Sequence, residues 1–107
     1  MLPLIHQVAN EYKVSLQQLY GSELAEVILF GSYARADYGE DSDVDFAIIL
    51  RNPNTRTAQE ILKTSVIGSS LSLKYGIMLS SLPVPLHKNE TSMQGIYQDI
   101  RKEGIII

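Results

Sequence analysis

The sequence predicts an α/β (α+β) domain, with a small mixed β-sheet and helices mainly on one face, and three observations predict it. Two apolar strand-like runs bracket a polar turn: Val27-Ile28-Leu29-Phe30 meets Gly31-Ser32, and Phe46-Ala47-Ile48-Ile49-Leu50 follows Asp43-Val44-Asp45. Helical spacing of apolar residues comes before the first run and returns near the end of the chain. At 107 residues, 45% apolar and 20% charged, the chain has the length and composition for one core, so residues 1–107 are expected to form a single domain.

The elements follow in order. Pro3 suits a first helical turn; Ile5, Val8, Tyr12, Leu16, Leu19 and Tyr20 continue at helical spacings, and Gly21 can cap the end. Gly21-Ser22-Glu23 then delivers the first strand, which stops at Gly31; residues 32–36 are expected to open a helix, and the second strand runs to Leu50. After the loop Arg51–Thr55, a helix starts near Thr57 with Ile61, Leu62, Val66 and Leu73 as a broken apolar face, weakened at Gly68-Ser69-Ser70. Tyr75–Ser80 reads as a third strand, ended by Pro83-Val84-Pro85, which lacks the donors of a central ladder. Asn89 or Thr91 can cap a last helix with Met93, Ile96, Tyr97 and Ile100 on its core stripe; Gly104 ends it, and Ile105–Ile107 can add an edge strand. His6 and His87 lack partners that would make either a metal ligand.

The chemistry concentrates in residues 27–50. Alternation along a strand points Asp43 and Asp45 the same way, and two carboxylates in one small space call for a cation between them. A hard divalent ion such as Mg2+ takes such oxygen ligands and completes its shell with water and phosphate oxygens. Gly31 lets a phosphate approach the backbone, and Ser32 adds a hydroxyl at the start of a helical turn. An EF-hand loop beginning at Asp41 would need glycine and glutamate where Phe46 and Asn52 stand, and neither a P-loop nor a Gly-x-Gly-x-x-Gly turn occurs. Five of the twelve acidic residues fall between Asp37 and Asp45 against an apolar strand, which argues against a merely solvated loop.

Gly31-Ser32, ten residues, then Asp43-Val44-Asp45 resembles the signature of the DNA polymerase beta-like nucleotidyltransferase superfamily. The fuller string Leu29-Phe30-Gly31-Ser32-Tyr33-Ala34-Arg35, with Asp37 and Ser42-Asp43 following, resembles its minimal nucleotidyltransferase branch. The resemblance implies that Asp43 and Asp45 are catalytic and hold Mg2+, while Gly31, Ser32 and Arg35 bind the phosphates of ATP or another nucleoside triphosphate. Arg35 has a second expected partner in Asp37, two residues away. The family's third carboxylate, on a later strand beside Asp-x-Asp, is missing: no Asp or Glu lies between Glu60 and Glu90, and the corresponding position is expected at Gly76. The glycine common after Ala-Arg in the family is Ala36 here.

Two functions follow from the resemblance. One is transfer of AMP from Mg-ATP to a small helical HEPN-domain toxin, with this chain as antitoxin; the other is an impaired nucleotidyltransferase fold that neutralises a partner by binding alone. A homo-oligomer stays open as well. The net charge of −3 without a Lys/Arg run gives no footprint for nucleic acid. No apolar run is long enough for a bilayer, there is no cysteine, and no signal-peptide pattern opens the chain, so the cytoplasm is expected.

Overall fold

A computed structural model describes residues 1–107. A long helix, α1 (Pro3–Tyr20), leads through a 3-10 turn at Gly21–Glu23 into β1 (Leu24–Phe30); one helical turn, α2 (Ser32–Arg35), and a loop precede β2 (Val44–Leu50). The second long helix, α3 (Thr57–Tyr75), is followed by β3 (Leu79–Pro85), two short helices α4 (Leu86–Thr91) and α5 (Gly95–Glu103), and β4 (Ile105–Ile106). The sheet order is β3-β2-β1-β4, with β2 antiparallel to β1, β4 antiparallel to β1, and β3 parallel to β2. The sheet is therefore mixed, as expected, and Ile105-Ile106 supplies an edge.

Strand alternation divides the core into two layers. Val27 and Leu29 of β1, with Val44, Phe46, Ile48 and Leu50 of β2, pack under Ile5, Ala9, Tyr12 and Leu16 of α1 and Leu71 of α3. Ile28, Ala47 and Ile49 face the other way, onto Val84, Tyr97 and Ile100. The two long helices thus cover one face, and α4 and α5 the other. Asp45 shares the parity of Ala47 and Ile49 and so lies at the end of the α5 face.

The α3 helix buries a different stripe from the one its apolar pattern suggests. Leu62, Val66 and Leu73 are exposed, whereas Thr64, Gly68 and Leu71 are buried. A Cβ at Gly68 would stand 3.6 Å from the Ser81 hydroxyl, so the glycine expected to weaken the helix instead lets it sit close to the sheet. Thr64 satisfies its buried hydroxyl on the Glu60 carbonyl at 3.0 Å. Close packing selected small side chains, and the period of the large ones was misleading.

The third strand also moves. Tyr75 closes α3, and Gly76 is its C-terminal cap at φ 67°, in the left-handed region that glycine tolerates. The strand begins only at Leu79 and contains both prolines. Val44 N–H donates to the Met78 carbonyl at 2.8 Å, which turns Met78, Ser80, Leu82 and Val84 toward β2 and Leu79, Ser81, Pro83 and Pro85 outward. The prolines therefore fit on an edge strand. Ser72 Oγ accepts the outward Leu79 N–H at 3.2 Å, and Thr57 Oγ1 donates to the Pro83 carbonyl at 3.0 Å. Met93, expected on the last helix's core stripe, precedes α5 and is exposed, while Tyr97 and Ile100 are buried as expected. His87 lies within α4.

Candidate functional site

The site forms where β1 ends and β2 begins. Gly31 leaves β1 at φ 76° and ψ −156°, a conformation open to glycine and costly for L side chains. A second constraint is steric. A Cβ at Gly31 would stand 2.3 Å from Asp45 Oδ2, so the Asp45 carboxylate lies directly against the bare glycine. The register explains why: Phe30 is the cross-strand partner of Asp45, and Gly31 follows it. Ser32 then opens the single turn of α2, half-buried, with Ala34 N–H and Arg35 N–H both donating to the Gly31 carbonyl at 3.1 and 3.0 Å.

Asp43 immediately precedes β2 and is exposed, while Asp45 is half-buried. Burial first, and then repulsion from Asp43, push the Asp45 carboxyl above the usual aspartate range; Arg35 and the Ser80 hydroxyl pull it back in part. An acid held above its ordinary pKa by burial and then by a neighbouring carboxylate is one that a bound cation would relieve. The donor set is all oxygen, which suits magnesium, and the fit rests on two carboxylates: no third Asp, Glu, His or Cys joins them.

Gly76 is not the missing third position. It lies on the α3 cap, and the residue paired with Asp45 on β3 is Ser80. A hydroxyl therefore stands where a neighbouring-strand carboxylate would be needed.

Arg35 reaches two acids. Its Nε donates to Asp37 Oδ2 at 3.0 Å, the pairing expected from their spacing, and its Nη1 donates to Glu103 Oε1 at 2.9 Å. The same Glu103 oxygen accepts the Gly31 N–H at 3.2 Å. Both pairs raise the Arg35 pKa further. Sequence reasoning missed Glu103 and Ser80. Nothing near Glu103 in sequence links it to Gly31; Ser80 had a signal, since prolines two apart on an edge strand must both face outward and so fix which residues face β2.

Beside the acids, Tyr33 stacks on Tyr38 with ring centroids 4.4 Å apart and planes within 4°. Tyr33 also lines a cleft with Glu40, Asp41, Ser42, Gly76 and Met78. The site is thus an open, acid-rimmed shelf at one end of the sheet.

The chain is similar to known proteins in sequence and in fold. The profile of a family described as "Nucleotidyltransferase domain" matches residues 9–106. A Methanocaldococcus jannaschii protein, provisionally named a protein adenylyltransferase, is 35% identical over 102 residues, covering 94% of this chain and 96% of its own. Among solved structures, one described as a minimal nucleotidyltransferase aligns with a TM-score of 0.60 and 20% identity over 99% of this chain and 97% of that one. A chain from a toxin–antitoxin crystal structure with AMP-PNP aligns with a TM-score of 0.61 and 16% identity, over 89% of this chain and 68% of that one. At those identities the two structures speak for the fold alone.

Proposed function

The chain belongs to the nucleotidyltransferase domain family, and from that premise we propose that it transfers AMP from Mg-ATP to a partner protein. In this reading Asp43 and Asp45 are the catalytic metal ligands, and Gly31, Ser32 and Arg35 face the phosphates. The observation that carries it is the contact between the Asp45 carboxylate and the bare Gly31 backbone, which brings the carboxylate pair and the phosphate-side turn into one place.

Each group has a separate task. Asp43 and Asp45 concentrate negative charge where a hard cation can enter, at the cost recorded in the raised Asp45 pKa. When bound, magnesium would neutralise the triphosphate and the charge developing on the attacking and leaving oxygens. Gly31, with no side chain of its own, lets the Asp45 carboxylate close against the turn, and Ser32 presents a hydroxyl donor to a phosphate beside it. Arg35 adds positive charge at the rim, held in place by Asp37 and Glu103. The chain's part is positioning and electrostatic support.

The partner in this proposal is a small helical HEPN-type toxin in the cytoplasm, with this chain as its antitoxin. The name of the M. jannaschii relative supports a protein acceptor, and the toxin–antitoxin structure supports a fold suited to such a complex. Ser80 opposite Asp45 favours a second reading, in which the fold binds and neutralises its partner without turnover.

Intact mass spectrometry of the partner after co-expression separates the two. Gain of one AMP with the wild-type chain, lost in Asp43→Asn/Asp45→Asn, supports transfer. An unmodified partner held in a stable complex supports binding alone. Calorimetry tests the site itself: a magnesium-dependent ATP signal that persists in the double variant would place the metal elsewhere.

A further inference from the structure

The one-turn helix α2 is too short to sustain itself, since a single turn fixes several backbone angles for very few hydrogen bonds. It is also bounded by two positive-φ residues, Gly31 at 76° and Ala36 at 62°. Something outside the turn has to hold it. The side-chain hydrogen bonds that reach it from a distant part of the chain come from one residue, Glu103, which lies 72 positions from Gly31 and 68 from Arg35.

Glu103 is itself firmly placed. It ends α5 one residue before Gly104, where a Cβ would stand 2.4 Å from the Ile100 carbonyl oxygen and 2.5 Å from Ile28 Cγ2. The chain beyond is stitched to β1 through Leu29–Ile105 and Ile28–Ile106 pairing, and Ile107 N–H donates to the Val27 carbonyl at 2.9 Å. The Glu103 side chain is only 18% exposed, against 45% for Arg35.

We infer that Glu103 is a positioning residue for the nucleotide site, holding the Gly31 turn and Arg35 so that Ser32 and Asp45 keep their places. Its carboxylate accepts the Gly31 N–H and so locks the glycine against which Asp45 packs. It also fixes the Arg35 guanidinium, which Asp37 binds through Nε, at the rim of the site. Without Glu103 the turn loosens, and Arg35 keeps only its bond to Asp37. The inference rests on the nucleotide reading above.

The test compares Glu103→Ala with Glu103→Gln, whose amide oxygen can still accept the Gly31 N–H. Two readouts are taken: amide hydrogen exchange at Gly31 by NMR, which needs no ligand, and calorimetric affinity for ATP with magnesium. The alanine variant is expected to exchange faster at Gly31, with Val27–Leu29 unchanged, and to bind Mg-ATP about tenfold more weakly; the glutamine variant recovers most of both. Unchanged exchange and affinity in the alanine variant would make Glu103 an idle carboxylate. Tighter ATP binding there would mean that Glu103 competes with phosphate, overturning the positioning role. If the wild type binds no ATP while Gly31 still responds, the nucleotide reading fails and Glu103 is reduced to a turn anchor. The exchange data then distinguish that result from a failure of the Glu103 contact itself.

Discussion

Ser80 is the parallel-strand partner of Asp45, and the two side chains emerge on the same face of the sheet, away from α1 and α3. This pairing decides what the site lacks. A carboxylate at position 80 would stand beside Asp45; one at Gly76 would sit on a helix cap where a Cβ meets nothing within 4 Å.

Ser80→Asp is therefore expected to raise AMP transfer, and Gly76→Asp is not. Supplying a positioned acid or base is worth about 10²–10⁴-fold in rate, and an added metal ligand should tighten magnesium as well. The assay is AMP transfer to the partner with Mg-ATP. A wild type that already turns over as fast as Ser80→Asp would show that two carboxylates suffice.

Asp45 should also cost the free protein stability. Its folded pKa lies above the 3.8 of an ordinary aspartate, so the charged form is disfavoured by folding. The penalty is complete above the raised folded pKa and disappears below the unfolded value, where both states are protonated. Asp45→Asn is expected to melt higher than wild type at pH 7, with the gap shrinking as the pH falls through the raised folded pKa and gone below about 4. Magnesium affinity of the wild type should fall over the same window. A lower melting temperature for the asparagine variant at pH 7 would contradict this.

Much of this was legible in the sequence. Both strands around the turn, the glycine at their junction and the two acids rest on local signals, β-branched runs and turn residues, and local signals survive folding. Position 80 and Glu103 were not legible, because each acts through register. Tyr75–Ile77 carry strand-forming residues, yet α3 continues to Tyr75 and takes Gly76 as its cap. The buried stripe of α3 escapes apolar periodicity because two of its three residues, Thr64 and Gly68 beside Leu71, are ones that such periodicity does not count.

Gly31→Ala should be far more damaging than Gly21→Ala. Both glycines have positive φ, 76° and 55°, so both variants incur backbone strain of roughly 1–3 kcal/mol. Only at Gly31 does the added methyl meet a side chain, Asp45 Oδ2, while nothing lies within 4 Å at Gly21. Urea unfolding of the two variants isolates that contact. Gly31→Ala should also abolish metal-dependent ATP binding, whereas Gly21→Ala should keep it. Similar losses in both would mean that Asp45 moves aside at no cost.

Ala36→Gly should stabilise the chain. Ala36 caps α2 at φ 62° and ψ 27°, the only non-glycine residue with positive φ. An L residue in that region costs about 1–2 kcal/mol, and glycine would remove the strain without disturbing the Asp37 N–H bond to the Ser32 carbonyl at 3.0 Å. Against this stands the greater freedom of glycine in the unfolded chain, worth about 0.4–1 kcal/mol. The balance favours glycine by about 0.5–1 kcal/mol, or ~2–6 °C in melting temperature for a chain of this size. Because the Asp45 contact and the Glu103 bond to the backbone both lie at Gly31, at the other end of the turn, Mg-ATP affinity should change less than twofold. A drop in melting temperature would show that unfolded-state entropy outweighs the strain at Ala36.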